Sequence, residues 1–178
     1  EATSPPSLVP PLTTIKGLGD KAIEEIVANR PFETVEDLLF NEDIVYRKLN
    51  KKSLDAMCRG GALDCLIDDR FTGAQHFWAA CCQDRPKTRK KLTENIETYK
   101  EAGDFSKDDR VEFLTELTGI FPMNLVAPEE VQESLRKFCV PPISEFDPAL
   151  GACWGIPRNL NLRKSKNVKW FAVIDLID

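Results

Sequence analysis

The chain has 178 residues, of which 42% are apolar and 30% are charged, enough for the core of one domain or of a domain plus a fragment. No apolar run approaches about 18 residues and no basic-then-apolar leader is present, so the sequence predicts neither a membrane span nor an export signal and favours the cytoplasm. The chain does not begin with Met and ends in a strand-like pattern, so we expect a piece of a longer polypeptide.

The net charge of -5 conceals segments of alternating sign. The net charge is -6 over residues 1–46, +6 over residues 47–91, -8 over residues 92–150 and +3 over residues 151–178. Because nucleic-acid affinity depends on local clusters of positive charge, an acidic total does not exclude such a partner.

Six cysteines would form a disulfide framework in a small secreted domain, but this chain is larger and lacks an export signal, so we expect reduced thiols. A zinc site needs ligands paired at short spacing. Cys81 and Cys82 are adjacent and would diverge on a helix, and His76 is the only histidine. We therefore expect no metal site.

Residues 1–11 contain four prolines and predict an extended linker. After a short helical turn, Gly17 and Gly19 flank Leu18 and form what we call the first hairpin, residues 15–19. The following apolar spacing predicts an amphipathic helix from Asp20 to about Asn29.

The first hairpin suits an anion. Glycines leave their amides uncovered, and the first turn of a helix has unpaired N–H groups at the positive end of its dipole. The sequence therefore predicts that this turn binds the phosphodiester backbone of DNA without a cofactor. The predicted contacts are Lys16, Gly17, Leu18, Gly19 and Lys21.

A second unit follows. Thr34 and Asp37 predict a capping box for a short helix through Phe40. Asn50 predicts the N-cap of another helix, which ends at a second glycine turn, here called the second hairpin, residues 59–63. We expect this unit to act partly as a structural mate of the first. Its candidate DNA contacts are Arg59, Gly60 and Gly61. Lys51 and Lys52 are further candidate DNA contacts.

A helix is predicted over residues 70–82, followed by the densest basic run, which opens a helix toward Ala102. The run consists of Arg85, Lys87, Arg89, Lys90 and Lys91. Two interpretations stay open: a solvated helix face, or a stripe that follows the phosphates of bound DNA.

The remainder predicts a helix capped by Ser106 and ended by Gly119, and another beginning at Ala127-Pro128. Residues 140–150 read as a linker. Residues 151–160 and 168–178 predict strands joined by a basic connection over residues 163–167. For the aromatic residues Trp154, Trp170 and Phe171, packing in a core is favoured over stacking on bases.

The first hairpin and its helix follow the pattern apolar-x-Gly-apolar-Gly-x-x-Ala-x-x-apolar, the signature of the helix-hairpin-helix motif. Downstream, Asn29-Arg30-Pro31-Phe32, Leu49-Asn50-Lys51-Lys52-Ser53-Leu54, Gly60-Gly61-Ala62-Leu63-Asp64 and Arg70 occur in an order that resembles the tandem helix-hairpin-helix region of the alpha subunit of bacterial DNA polymerase III, the family C replicative polymerase.

The resemblance implies a mainly α fold followed by a partial β segment. A tandem helix-hairpin-helix (HhH)2 DNA-binding domain would span residues 12–105. Connecting helices would span residues 106–139, and residues 151–178 would form the first strands of an incomplete OB-like domain.

The resemblance also implies a function. The C-terminal region of a bacterial or phage replicative polymerase would bind the product duplex by its phosphate backbone, independently of base sequence. The implied partners are double-stranded DNA, upstream polymerase domains of the same chain and other replisome proteins. The polymerase's palm aspartates have no counterpart here, so this piece would be non-catalytic and magnesium would be needed only upstream. Nor does a clamp-binding pattern occur.

Two other hypotheses belong to different classes. A helix-hairpin-helix module can lose DNA affinity and act as a protein-interaction scaffold through its acidic segments. Catalysis by this piece is disfavoured, because adjacent carboxylates such as Asp68 and Asp69 usually point apart and do not form a metal site.

Overall fold

The computed structural model describes residues 10–166 and 169–177, so most of the predicted linker over residues 1–11 lies outside the described residues. Within the described part the chain forms eight α-helices and then two β-strands, and the mainly α fold with a small terminal β segment is confirmed. The α-helices are α1 (Asp20–Ala28), α2 (Val35–Leu39), α3 (Lys51–Arg59), α4 (Ala74–Phe77), α5 (Arg89–Thr98), α6 (Lys107–Thr118), α7 (Met123–Val126) and α8 (Glu129–Lys137), and the strands are β1 (Ile156–Lys164) and β2 (Trp170–Ile177).

The helix ends follow local capping chemistry. Thr34 and Asp37 form the predicted capping box of α2, with each side chain accepting a hydrogen bond from the other residue's amide. Asn50 accepts from the Ser53 amide and begins α3, and Ser106 begins α6 in the same way. Gly119 ends α6 with φ +73°, a left-handed conformation that favours glycine. These predicted caps are confirmed.

The helix predicted over residues 70–82 starts later and changes type. It begins as α4 and continues as a π-helix over Trp78–Gln83. Its start is fixed by tertiary contact, because the Asp104 carboxylate accepts from the Ala74 amide and Gly73 lies against the backbone at Gly103 and Asp104. A Cβ on Gly73 would come within 2.7 Å of that backbone, so only glycine fits here. The prediction of one regular helix was wrong.

The helix predicted to open at the basic run begins only at Arg89, after the buried Pro86, because the Thr88 side chain caps it by accepting from the Lys91 amide. It ends as an α-helix at Thr98, and a 3-10 turn over Lys100–Ala102 follows.

The chain divides into two compact units, Glu1–Pro122 and Met123–Asp178. Helix α6, which the resemblance assigned to the connecting segment, lies in the same unit as both hairpins. The core of this unit forms around α2, α3 and α4. Its most deeply buried apolar side chains are Val35, Leu38, Leu49, Leu54, Phe77 and Leu92.

In the second unit β1 and β2 pair antiparallel, with Leu160 opposite Ile174 and Lys164 opposite Trp170. The predicted strand bounds were shifted: Arg163 and Lys164 belong to β1 rather than to the connection, and Val168 lies outside the described residues. Trp170 is 69% exposed and Phe171 is 47% exposed, so the expectation that both pack in a core was wrong for the described structure.

Arg70 ties the loop before α4 to α2. Its guanidinium forms two hydrogen bonds to the Glu36 carboxylate, at 2.6 and 3.0 Å, and others to Asp68. Hydrogen bonding to Arg70 lowers the pKa of Glu36 and the pKa of Asp68 below their ordinary values of 4.5 and 3.8.

Arg70→Gln is expected to lower the free energy of unfolding at pH 7 by roughly 1 kcal/mol, a modest loss because solvent screens the partly exposed groups. Since the folded pKa values lie below the unfolded ones, the stabilisation is present above about pH 4.5 and is lost as the pH falls through the folded values. Urea unfolding from pH 7 to pH 2.5 should show the two proteins converging in acid. Arg47→Gln, at an exposed arginine, should match the wild type throughout, and a constant gap between Arg70→Gln and the wild type would contradict the account.

Candidate nucleic-acid interface

The first hairpin is a tight turn fixed on the core of the first unit. Ile15 and Leu18 are 6% and 8% exposed, and the Leu18 amide donates to the Ile15 carbonyl at 3.2 Å. Gly17 has φ +88°, which side chains other than glycine adopt at a cost in strain. The buried Leu18 side chain therefore fixes the turn on the core, while both glycines remain exposed.

The amides of Lys16 and Leu18 in this turn form hydrogen bonds within the protein, whereas four amides between Gly17 and Lys21 form none with the described residues. The Lys16 amide donates to the Leu117 carbonyl of α6 at 2.7 Å, so it is not available to a ligand. Across residues 10–166 and 169–177, no hydrogen bond uses the amides of Gly17, Gly19, Asp20 or Lys21. These four amides, here called the amide cluster, lie at the N-terminus of α1, where the helix dipole favours negative charge.

The charges around the amide cluster are mixed. Lys16 and Lys21 are exposed, and Lys52 reaches the same place from α3, because its Cε lies 3.7 Å from where a Cβ on Gly17 would be. Asp20, in the first turn of α1, is an exposed negative charge at the cluster. The turn thus has three lysines and one carboxylate around four unpaired amides.

The second hairpin has a different structure although it also contains two glycines. The Gly60 amide donates to the Ala56 carbonyl at 2.9 Å, the Gly61 amide to Cys58 at 3.0 Å and the Ala62 amide to Met57 at 2.8 Å. These bonds satisfy the last carbonyls of α3. The second hairpin therefore closes a helix C-terminus and offers none of these three amides to a ligand.

The two hairpins also pack together, because the Ile15 side chain lies 3.6 Å from where a Cβ on Gly60 would be. Residues 2–73 match the family model of the helix-hairpin-helix motif. The match covers less than half of the chain but includes both hairpins. Helix-hairpin-helix motifs are generally associated with nucleic-acid binding or protein interaction. No curated protein and no solved structure matches the chain significantly, and the match identifies no polymerase subunit.

Arg59, at the end of α3 in this helix-hairpin-helix region, is held by internal contacts. Its guanidinium lies 3.7 Å from the centre of the Phe113 ring, and it forms an ion pair with Asp55 at 3.7 Å. The side chain therefore joins the second hairpin to α6, and its charge is partly compensated inside the protein.

Two of the five residues in the basic run have internal roles. Arg85 lies 3.8 Å from the centre of the Tyr46 ring, and burial lowers the pKa of its guanidinium. Lys91 forms an ion pair with Asp84 at 3.5 Å. Lys87, Arg89 and Lys90 are exposed, which agrees with either a solvated face or a phosphate stripe.

The structure locates Lys51 and Lys52 at the N-terminus of α3, both exposed. The sequence predicted both as DNA contacts without placing them at either hairpin, and the contact with Gly17 brings Lys52 to the first hairpin. The Leu117 carbonyl was not foreseen either. Neither contact has a local signal, because each joins residues more than thirty positions apart.

The described residues do not bring together the ligands of a metal site. Within residues 10–166 and 169–177, no three or more His, Cys, Asp and Glu side chains are grouped so that they could hold a metal ion. The cysteines of this part of the chain are free thiols, and Cys58, Cys81 and Cys82 are buried. None of the described helices is long and apolar enough to cross a lipid bilayer.

Proposed function

We propose that this chain binds duplex DNA by the phosphate backbone, through the first hairpin and without reading base sequence. The observation that supports the proposal most directly is the amide cluster: four N–H groups without internal partners, on exposed residues at the start of α1 and near three lysines. Backbone amides and lysines bind phosphate oxygens, which are the same at every step of the duplex. Such binding is independent of sequence.

The setting we propose comes from the polymerase resemblance. In that setting the module holds product duplex behind the active site of a DNA-directed DNA polymerase in the cytoplasm. Magnesium-dependent nucleotidyl transfer would be carried out by upstream domains, and the β1–β2 segment would begin an OB-like domain. The order of the matching segments from Ile15 to Arg70 supports this setting, and the full reading frame would test it by the presence or absence of aspartate motifs upstream.

The function is tested by removing the charges at the hairpin. Lys16→Ala/Lys21→Ala is expected to weaken binding to a 20-base-pair duplex by about tenfold to hundredfold at low salt, since each lysine neutralises a phosphate. The slope of log K against log salt concentration should become shallower by about 2. Fluorescence anisotropy with duplexes of several sequences measures both quantities.

Two further variants make this test specific. Lys100→Ala/Lys107→Ala removes the same charge from exposed positions outside the hairpins and should change the affinity much less. Asp20→Asn removes the carboxylate at the amide cluster and should tighten binding about twofold to fivefold, the size of a charge effect at a helix end. Equal weakening by both double variants would show only a general charge effect and would overturn the proposal.

The second candidate is a protein-interaction module. It is favoured by the apolar face of the β1–β2 hairpin, where Leu160, Leu162 and Trp170 are 60%, 68% and 69% exposed. Exposed apolar surfaces of this kind commonly mark protein contacts. An absence of duplex affinity at 20 mM salt would favour this candidate over DNA binding.

A further inference from the structure

We infer that the two helix-hairpin-helix units build one phosphate site rather than two, and that Lys52 of the second unit is the third cation of that site. The inference rests on the proposed function, since it specifies which residues bind the backbone. It differs from the sequence prediction that Arg59, Gly60 and Gly61 of the second hairpin also contact DNA.

The Lys52 side chain lies beside Gly17 of the first hairpin. Its Cε is in van der Waals range of the open side of Gly17, 3.7 Å from where a Cβ would be. The terminal ammonium is one bond further along the side chain, so it is within reach of the phosphate that the Gly17 and Gly19 amides would bind. Within the described residues Lys52 forms no ion pair, and neither does Lys16 or Lys21.

The start of α3, which carries Lys52, is held in place by a capping residue and by buried neighbours. The Asn50 side chain caps α3 by accepting from the Ser53 amide at 3.0 Å, and Ser53 and Leu54 are 4% and 1% exposed. Leu49, which precedes this helix, has no exposed surface, so the start of α3 is fixed in the core on both sides of Lys52. A lysine so presented loses less freedom on binding than one on a mobile loop.

The second hairpin is used for contacts within the protein. Its amides satisfy the end of α3, and Arg59 stacks on Phe113. The second unit therefore contributes the N-terminus of α3 to the site and uses its own glycine turn for packing against Ile15. One backbone strand of the duplex would engage three lysines and four amides at a single place.

The neighbouring lysine provides the matched test. Lys52→Ala is expected to weaken duplex binding about threefold to tenfold and to reduce the salt slope by about 1, whereas Lys51→Ala, with the same loss of charge, should have less than half of that effect on affinity. Lys52→Arg should retain most of the affinity. Arg59→Ala should leave affinity within twofold of the wild type once thermal melts confirm that it is folded.

The outcomes separate this inference from the proposed function. Equal effects of Lys51→Ala and Lys52→Ala, or a larger effect of Arg59→Ala, would overturn the single site. If Lys16→Ala/Lys21→Ala loses binding while Lys52→Ala does not, the inference fails and the proposed function stands. If the full 178-residue chain shows no duplex affinity at low salt, both fail.

Discussion

Replacing Phe77 by Ala is expected to lower the free energy of unfolding by about 3–5 kcal/mol, the range for removing a fully buried aromatic ring and leaving a cavity. Phe77 has no exposed surface, and its ring meets that of Phe71 edge to face with centroids 5.0 Å apart. Since domains are commonly stable by only about 5–15 kcal/mol, this loss would leave the first unit close to unfolding. Urea titration followed by circular dichroism measures the change.

Phe138→Ala is the matched control, because the same ring is removed at a position that is 80% exposed. Its effect should stay within about 0.5 kcal/mol, as for ordinary surface substitutions. A cost below about 1 kcal/mol for Phe77→Ala would contradict a core organised around α4, since a large cavity there should cost several times more.

Replacing Asn95 by Asp is expected to lower the free energy of unfolding about as much as Phe77→Ala does. The Asn95 side-chain amide donates to the Ala80 carbonyl at 2.9 Å and to the Asp84 carbonyl at 2.6 Å, and Asn95 has no exposed surface. These bonds fix the end of the π-helix to α5. Asn95→Ala should cost about 2–6 kcal/mol, at about 1–3 kcal/mol for each of the two acceptors left without a donor.

Asn95→Asp should cost more than Asn95→Ala at pH 7, because a buried carboxylate would then face two carbonyl oxygens. Burial against these carbonyls would raise the pKa of the introduced acid above its unfolded value of about 4, and protonation restores one donor. The excess cost should therefore shrink as the pH is lowered from 7 toward about 4 and change little below that. Asn124→Asp makes the same change at an exposed position and should have little effect. If Asn95→Asp matched Asn124→Asp, the two carbonyl contacts would have no role in stability.

Features set by short stretches of chain could be predicted from the sequence. The capping residues Thr34, Asn50 and Ser106 accept hydrogen bonds from amides three positions away, so these residue types predict the helix starts from local sequence alone. Gly17 and Gly61 have positive φ, as expected of glycines at tight turns. The first hairpin could therefore be recognised as a turn before a helix.

Features set by distant contacts could not be predicted. The regular helix expected over residues 70–82 begins only at Ala74, because Gly73 packs on the backbone near Gly103, a contact that the local pattern does not indicate. Likewise both turns contain two glycines that were predicted to contact DNA, but the amides of the second are used by the preceding α3. Whether the amides of a glycine turn are free or hydrogen-bonded depends on whether the turn precedes a helix, as at α1, or ends one, as at α3.

The hydrogen bond from the Lys16 amide to the Leu117 carbonyl determines how the module can be isolated. A fragment ending at Phe105 would contain both glycine turns but would lack the carbonyl that fixes one end of the first turn and the ring on which Arg59 stacks. A shortened protein should therefore retain the chain through Gly119, since the first hairpin depends on α6 for its shape.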